Sequence, residues 1–143
     1  MKSIRNKALR NIDRLMVADY RGQSWDCPGG YFATSKPIYE GYRTKKSQIV
    51  YDYGNQPKPN LGYVVDNQGD QSIKVDHRAV DDMYTEVTAP GLDYTIRFYS
   101  DYFNLLLALH PNATLYVSSG NNMSPVFFKE ADKLVAIIMP VKS

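Results

Sequence analysis

The chain has 143 residues, 43% of them hydrophobic and 22% charged, which fits one globular domain and excludes a wholly disordered chain. Its single cysteine, Cys27, cannot form an internal disulfide, so a disulfide-built scaffold is excluded as well. Residues 1–50 carry a net charge of +6 and residues 51–143 carry −4, which give the overall +2. A basic half attracts phosphate backbones, although the same charges also fit an ordinary solvated surface.

The sequence predicts a soluble, cytoplasmic protein with no membrane partner. Charged residues interrupt the first 20 positions, so no signal peptide is predicted there. No apolar run is longer than the six residues at 134–139, whereas a membrane-spanning helix needs about 20. The twelve tyrosines favour strands, so a substantial sheet is expected.

Residues 3–18 are predicted to form the first helix. Ser3 can cap its start, and no glycine or proline interrupts it. At about 100° per residue, its apolar side chains fall on one broad stripe, which consists of Ile4, Ala8, Leu9, Ile12, Leu15 and Met16. Lys7, Arg10 and Arg14 gather on the opposite side. The helix is therefore expected to bury one face and to expose a short basic row on the other.

Turns and short strands are predicted to follow this helix. Residues 26–30 contain Pro28 and two glycines, which favour a turn. Three strands are expected after it, at 31–34, 38–43 and 48–53. The proline-rich residues 54–60 are predicted to form a loop.

A hairpin is predicted in the middle of the chain. Residues 61–65 and 72–75 are expected to be its two strands, with Gly69 in the left-handed conformation of the turn. Residues 76–86 are acidic, and their pattern fits either a helical turn or an edge strand.

The last third of the chain predicts a strand, a helix and three further strands. After a strand at 94–98, Ser100 is expected to cap a helix that has Asp101 in its first turn and ends at Leu109. The closing strands are expected at 114–117, 126–128 and 134–138. The whole pattern predicts an α+β fold, with a mostly antiparallel sheet and two helices packed on one face.

The sequence contains none of the common catalytic or metal-binding motifs. It has no P-loop, no dinucleotide-binding glycine motif, no HExxH pair and no CxxC pair, so no catalytic residue, cofactor or metal site is predicted. Asp76 and His77, with Asp81 and Asp82, have the side chains of a magnesium or acid–base site, but a solvated acidic face is the favoured interpretation. Cys27, which has no basic neighbour, and His110, at a helix end, are expected to be structural.

Five segments near the end of the chain occur in an order and spacing typical of one family. They are the strand TIRF at 95–98, the apolar helix up to Leu109, the strand LYV at 115–117, SPVFF at 124–128 and VAIIMPVK at 135–142. Through them, residues 79–142 resemble the last domain of the bacterial DNA-polymerase sliding clamp, the β subunit family.

The resemblance implies a single DNA-clamp-like domain over residues 1–143 and a non-enzymatic role in DNA replication. A subunit of that family carries three such domains and two subunits close the ring, so this chain would act as a homo-oligomer of six copies. The family's partner-peptide pocket lies between two domains, and Met139, Pro140 and Val141 would form its C-terminal wall. Double-stranded DNA and replication proteins are the partners that the resemblance implies.

Six basic residues are the candidates for DNA contact. They are Lys7, Arg10 and Arg14 on the first helix, with Arg43, Lys45 and Lys46 in the following part of the basic half. Cations on a helix face bind phosphates without reading bases, as a protein that tracks along DNA requires. The second predicted helix contains no lysine or arginine, so any charge facing DNA must come from the first. The alternative is an ordinary solvent-exposed face.

The runner-up function is that of a small adaptor or inhibitor, which has the clamp-like fold but binds a protein and not DNA. Tyrosines can stack on bases, yet tyrosines at strand spacing are more often sheet and interface residues. Under this hypothesis the exposed strand edges and the tyrosines bind the partner, and the basic row is merely solvated.

Overall fold

The computed structural model describes residues 2–42 and 60–141, in which the chain forms three helices and ten strands. The first seven elements are α1 (Lys2–Leu9), β1 (Leu15–Tyr20), β2 (Gln23–Pro28), β3 (Phe32–Thr34), α2 (Leu61–Asp66), β4 (Ile73–Lys74) and β5 (Asp76–Ala79). The other six are β6 (Tyr84–Thr88), β7 (Ile96–Tyr99), α3 (Ser100–Leu109), β8 (Thr114–Val117), β9 (Val126–Glu130) and β10 (Lys133–Ile138). The predicted α+β class and antiparallel sheet are confirmed, since these strands pair only antiparallel. None of the helices in the described ranges has the length and apolar character to cross a membrane.

The strands form two sheets. The larger sheet has seven strands in the order β1-β2-β3-β10-β9-β8-β4, and the smaller has three in the order β5-β6-β7. The chain leaves the larger sheet at Lys74 and enters the smaller one at Asp76. Between them, the N–H of Val75 donates to the carbonyl oxygen of Leu115 at 3.0 Å, which holds the crossing point against β8.

Each face of the larger sheet has its own core, because successive strand residues point to opposite sides. Phe32 and Phe128 pack in the core that includes α1 and α3. Their neighbours Ala33 and Phe127 pack in a second core with Leu61 of α2. Two helices therefore lie on one face, as predicted, while α2 is a third helix on the other face.

The larger sheet contains two similar halves, α1-β1-β2-β3 and α3-β8-β9-β10. In the first half Leu15 lies opposite Pro28, and in the second Leu115 lies opposite Phe128. The last strands of the halves, β3 and β10, pair with each other at the centre of the sheet. An approximate two-fold axis between β3 and β10 thus relates the halves and sets α1 beside α3.

The predicted helix over 3–18 is wrong beyond Leu9. Residues Leu15–Tyr20 form β1, which pairs with β2 along its whole length. Arg21 and Gly22 form the turn between these strands, both with positive φ (50° and 76°). Pairing overrides the helical stripe here, because the hairpin buries Leu15 and Ala18 against the two cores while satisfying the backbone of both strands.

The turn predicted at 26–30 is confirmed only at its glycines. Asp26 and Pro28 belong to β2, and the turn itself begins after them. The strand predicted at 38–43 is not formed over the described residues 38–42. Instead, the carboxylate of Asp26 accepts hydrogen bonds from the N–H groups of Ile38 (2.8 Å) and Tyr39 (3.3 Å), which folds this segment back onto β2. The predicted strand at 48–53 lies outside the described residues, as does the predicted loop except for Asn60.

The predicted hairpin of residues 61–65 and 72–75 is wrong in its first strand and its pairing, whereas Gly69 has the predicted left-handed conformation (φ 72°) and β4 lies within the second predicted strand. Residues Leu61–Asp66 form α2, because Asn60 caps it by accepting a hydrogen bond from the N–H of Tyr63 at 2.9 Å. Ile73 and Lys74 pair with β8.

Residues 76–86, left open between a helical turn and an edge strand, contain strand β5 and the start of β6. Asp81 organises the turn between them, since its carboxylate accepts from the N–H groups of Met83 and Tyr84, both at 2.9 Å.

The C-terminal elements are confirmed to within two residues at each end. Helix α3, with Asp101 in its first turn, and strands β8, β9 and β10 form where the sequence predicts them. One detail differs: Tyr99 occupies the N-cap of α3, and Ser100 is its first helical residue. The Ser100 hydroxyl instead forms a buried hydrogen bond with the hydroxyl of Thr85 at 2.9 Å, which ties α3 to β6.

Candidate functional site

Two surfaces contain residues that the sequence predicts to bind DNA or a protein partner. The first is the exposed side of α1 and α3, here called the helix surface. From Lys2 to Arg10 the chain has four cations and no acidic residue. They are Lys2, Arg5, Lys7 and Arg10. Helix α3 has one charged residue, Asp101, so cations outnumber acids on the paired helices.

Two of these cations are held by other groups. The Lys7 ammonium lies 3.8 Å from a carboxylate oxygen of Asp101 and links α1 to α3. The Arg5 guanidinium donates to the carbonyl oxygen of Glu40 at 2.8 Å and lies 5.6 Å from the ring centre of Tyr42. Neither contact neutralises the surface, since Glu40 accepts through its backbone and Asp101 is a single charge.

The predicted basic row does not lie on one helix face, which corrects the sequence interpretation. Lys7 is on α1, but Arg10 follows the end of the helix and Arg14 precedes β1. The backbone of Arg14 is fixed by its carbonyl oxygen, which accepts from the N–H of Gly29 at 2.7 Å. The other predicted DNA contacts, Arg43, Lys45 and Lys46, lie outside the described residues.

The second surface is a groove of about 530 Å³, here called the tyrosine groove. Its wall includes the predicted partner-binding residues Met139, Pro140 and Val141. Facing them are side chains from distant parts of the chain, including Tyr31, Tyr99, Tyr102, Met123 and Pro125. The structure thus brings the predicted C-terminal wall together with aromatic residues that the sequence did not assign to it.

The segment that forms this wall joins the two sheets. The N–H of Met139 donates to the carbonyl oxygen of Tyr31 at 2.9 Å, beside the larger sheet. Two residues later, the N–H of Val141 donates to the carbonyl oxygen of Arg97 at 2.8 Å, on the smaller sheet. Pro140, which has no N–H to satisfy, occupies the crossing between them.

The three tyrosines of the groove and the neighbouring Tyr84 form a continuous aromatic strip. Ring centres are 5.3 Å apart for Tyr31 and Tyr102, and 5.7 Å apart for both Tyr102–Tyr99 and Tyr99–Tyr84. Burial raises the pKa of the Tyr102 phenol, and the neighbouring phenols and Asp101 add to the effect. The raised pKa keeps the Tyr102 phenol neutral, and the strip offers apolar rings with hydroxyl groups at their edges.

Much of this apolar surface is open to solvent. Tyr31 is 46% exposed, Met123 40%, Tyr99 38% and Met139 36%. Gly29 makes room for the Tyr31 ring, because a Cβ at position 29 would lie 2.7 Å from ring carbons, and φ there is +60°. A groove with several half-exposed aromatic and methionine side chains is typical of a surface that binds a protein segment.

The described residues do not assemble a metal centre. Asp76, His77, Asp81 and Asp82 do not converge, and no group of three potential metal ligands occurs within 2–42 and 60–141. Cys27 is buried, which raises the pKa of its thiol to about 11 and disfavours the nucleophilic thiolate.

No family model, curated protein or solved structure matches the chain. The resemblance to the sliding clamp therefore stays a prediction, which rests on the segments quoted above.

Sequence reasoning missed the aromatic side of the groove. Tyr31 and Met123 lie in two separate turns, while Tyr99 and Tyr102 flank the junction of β7 and α3, so no local motif marks the set. The high tyrosine count was the only available signal, and it says nothing about position.

Proposed function

We propose that this protein is a non-enzymatic, clamp-like protein of DNA replication that contacts duplex DNA through the helix surface. One observation carries the proposal: two similar halves set α1 and α3 side by side on one face, with four cations in residues 2–10 and one acidic residue, Asp101, in α3. The order of the C-terminal segments, which led to the clamp resemblance, supports it independently.

The proposed mechanism is electrostatic tethering. Flexible lysine and arginine side chains bind phosphates without reading bases, and they release the counterions condensed on the duplex. Such binding holds the protein on DNA while allowing it to move along the helix. Enclosing a duplex would require several copies of the chain, each presenting its helix surface to the DNA.

Charge reversal on the helix surface tests the proposal. Replacing Lys2, Lys7 and Arg10 together by glutamate is expected to abolish binding of a fluorescent duplex of arbitrary sequence, measured by anisotropy at two salt concentrations. For the wild type, the logarithm of the affinity is expected to fall with the logarithm of salt by about 0.9 per phosphate contacted.

A matched variant separates this effect from net charge. Arg21, Lys74 and Lys133 are also exposed cations, and none lies on α1 or α3 or directly next to either helix. Their triple replacement by glutamate changes the net charge equally and is expected to retain most of the binding. Equal losses in the two triple variants, or no duplex binding by the wild type at low salt, would contradict the proposal.

The tyrosine groove favours a second candidate function, the binding of a protein partner. Here the chain would act as an adaptor or inhibitor that accepts an apolar peptide segment between Met139 and the tyrosine strip. A displayed library of random peptides can be selected on the wild type and re-tested on Tyr99→Ala. Tyr63→Ala is the control, because Tyr63 is an exposed tyrosine on α2 outside the groove.

Peptides that lose binding to Tyr99→Ala but keep binding to Tyr63→Ala would support this function. Selection that yields no peptide sensitive to Tyr99→Ala would count against it. The two functions are tested separately, because each experiment changes residues that the other function does not use.

A further inference from the structure

Of the four sheet edges in the described residues, β5 is the one left open. Strand β4 has two residues, and β1 is bridged at Asp19 to Asn60. The β7 edge is covered where Val141 donates to Arg97. All four residues of β5, in contrast, are exposed.

The backbone of β5 has hydrogen-bonding groups that point away from its own sheet. Val80, which follows the strand, donates its N–H to the carbonyl oxygen of Tyr84 on the β6 side at 2.9 Å. Since these groups alternate along an antiparallel strand, those of His77 and Ala79 point outward. An unpaired edge of this kind is a template for another strand.

The charges on this edge attract a second copy of the same edge. Proteins commonly protect open edges with charges that repel a second copy, whereas β5 has Asp76 and Arg78 on either side of His77. In an antiparallel pair centred on His77, Asp76 of each copy lies opposite Arg78 of the other. Opposite charges in directly opposed positions stabilise an antiparallel pair.

The neighbouring side chains extend the same complementarity. Lys74 precedes the edge, and the turn containing Asp81 and Asp82 follows it, so an antiparallel copy brings the lysine towards the acidic turn. Val80 and Met83, which are 45% and 58% exposed, add apolar surface beside the strand. Asp76 makes no ion pair with a described residue, and the Arg78 side chain is 74% exposed although it contacts Glu86 at 3.2 Å. Both charges thus remain accessible.

We propose that β5 is a self-association edge, on which a second copy of this chain pairs antiparallel about a two-fold axis at His77. The contact joins the two small sheets into one six-stranded sheet. It does not depend on DNA binding, so its outcome is independent of the function proposed above.

Complementary charge reversal provides the sharpest test. Asp76→Arg gives the edge two arginines, and Arg78→Asp gives it two aspartates, so two copies of either variant repel each other. Each variant is expected to stay monomeric, with a mass near 16.3 kDa measured by light scattering after size-exclusion chromatography. The wild type is expected to reach twice that mass, or an even multiple, with increasing concentration. An equimolar mixture of the two variants is expected to regain association as mixed pairs, detected by native mass spectrometry.

Two further variants separate pairing from general effects of charge or folding. His77→Pro removes an outward N–H, which edge strands tolerate, together with the imidazole ring whose centre lies 5.5 Å from that of Phe103. It is expected to abolish association while far-UV circular dichroism stays unchanged. Arg97→Asp removes the other arginine that contacts Glu86, at 3.3 Å, and is expected to leave association intact.

A wild type that stays monomeric at every concentration would overturn the proposal. So would association that survives both His77→Pro and the single charge reversals, because it would place the contact elsewhere. Failure of the mixed variants to associate would reject the charge pairing on which the register depends.

Discussion

The two halves of the larger sheet have the same arrangement but different chemistry. Helix α1 buries only Ala8 and Leu9, whereas α3 buries Phe103, Leu105 and Leu106 among others. The first residue after each helix makes the same backbone bond, four residues back, at 3.0 Å in the first half and 2.9 Å in the second. In the first half that residue is an exposed arginine, and in the second it is a buried histidine.

This difference shows how one topology serves two purposes. Strand pairing fixes where each helix lies, and it leaves the helix free to contribute either charge or apolar volume. The second half supplies most of the buried helical surface, while the first half supplies the cations of the helix surface. Three measurements can test whether the second half supplies the apolar core and the first half the surface charge.

The largest expected effect comes from the core of the second half. The Phe103 ring lies with its centre 5.7 Å from that of Phe98 and 5.6 Å from that of Phe128, and it is fully buried. Phe103→Ala is expected to lower the free energy of unfolding by about 3–5 kcal/mol, because it removes apolar contacts and leaves a cavity. Leu9→Ala in the first half is expected to cost about 2 kcal/mol, the low end for a buried leucine. Urea denaturation measures both, and equal losses would break the division.

The second effect depends on pH and concerns His110. This side chain is 2% exposed, its Nε2 lies 2.8 Å from the Thr34 hydroxyl, and Glu130 lies 3.8 Å from Nδ1. The pKa of His110 is lowered from 6.5 to about 4, chiefly by burial and also by the charge of Lys36, while Glu130 opposes the shift. The neutral ring is therefore favoured in the folded protein.

The sign of the pH dependence follows from this shift. Above pH 6.5 the His110 ring is neutral in both the folded and the unfolded protein, so its protonation does not affect the free energy of unfolding. Between pH 6.5 and about 4 the unfolded chain binds a proton that the folded protein does not. The free energy of unfolding is thus expected to fall through this range by at most about 3 kcal/mol, and to level off below it. Urea titrations of the wild type and His110→Gln measure the difference. Arg10→Gln is the matched control, and a pH-dependent difference there would contradict the interpretation.

The smallest expected effect lies at the contact between the halves. The Lys7 side chain is 58% exposed and the Asp101 side chain 32%, so solvent screens their 3.8 Å ion pair. A double-mutant cycle with Lys7→Ala and Asp101→Ala is expected to give a coupling energy of about 0.5 kcal/mol or less. A larger coupling would mean that charge, and not only the apolar core, holds α1 against α3.

The sequence predicted the second half well and the first half poorly, for a physical reason. In residues 100–138 the apolar side chains are dense, so helix and strand patterns differ clearly, and α3 and β8 to β10 form where expected. In residues 3–18 a sparse apolar stripe fits a helix, yet Leu15 is paired in β1 because a partner strand lies beyond the turn at Arg21 and Gly22. Helix propensity depends on the local sequence and does not include the pairing energy of strand β2 with β1.

Helix α2 and the groove illustrate two other limits. Tyr63, Val64 and Val65 favour a strand by composition, but Asn60 caps a helix whose apolar side covers the second core. The signal was present, since asparagine is a preferred N-cap. The tyrosine groove had no such signal, because it exists only when chain segments more than 100 residues apart come together, as Tyr31 and Met139 do.

The short bridge from Met139 to Val141 has a consequence for how the molecule opens. Its two hydrogen bonds fasten the larger sheet to the smaller one, so neither sheet can separate until this bridge is released. Amide hydrogen exchange at these two positions would thus report the unlatching of one sheet from the other. A peptide that occupies the groove would contact this same bridge and stabilise its two hydrogen bonds. It would therefore slow amide exchange in both sheets while touching only a few residues of either.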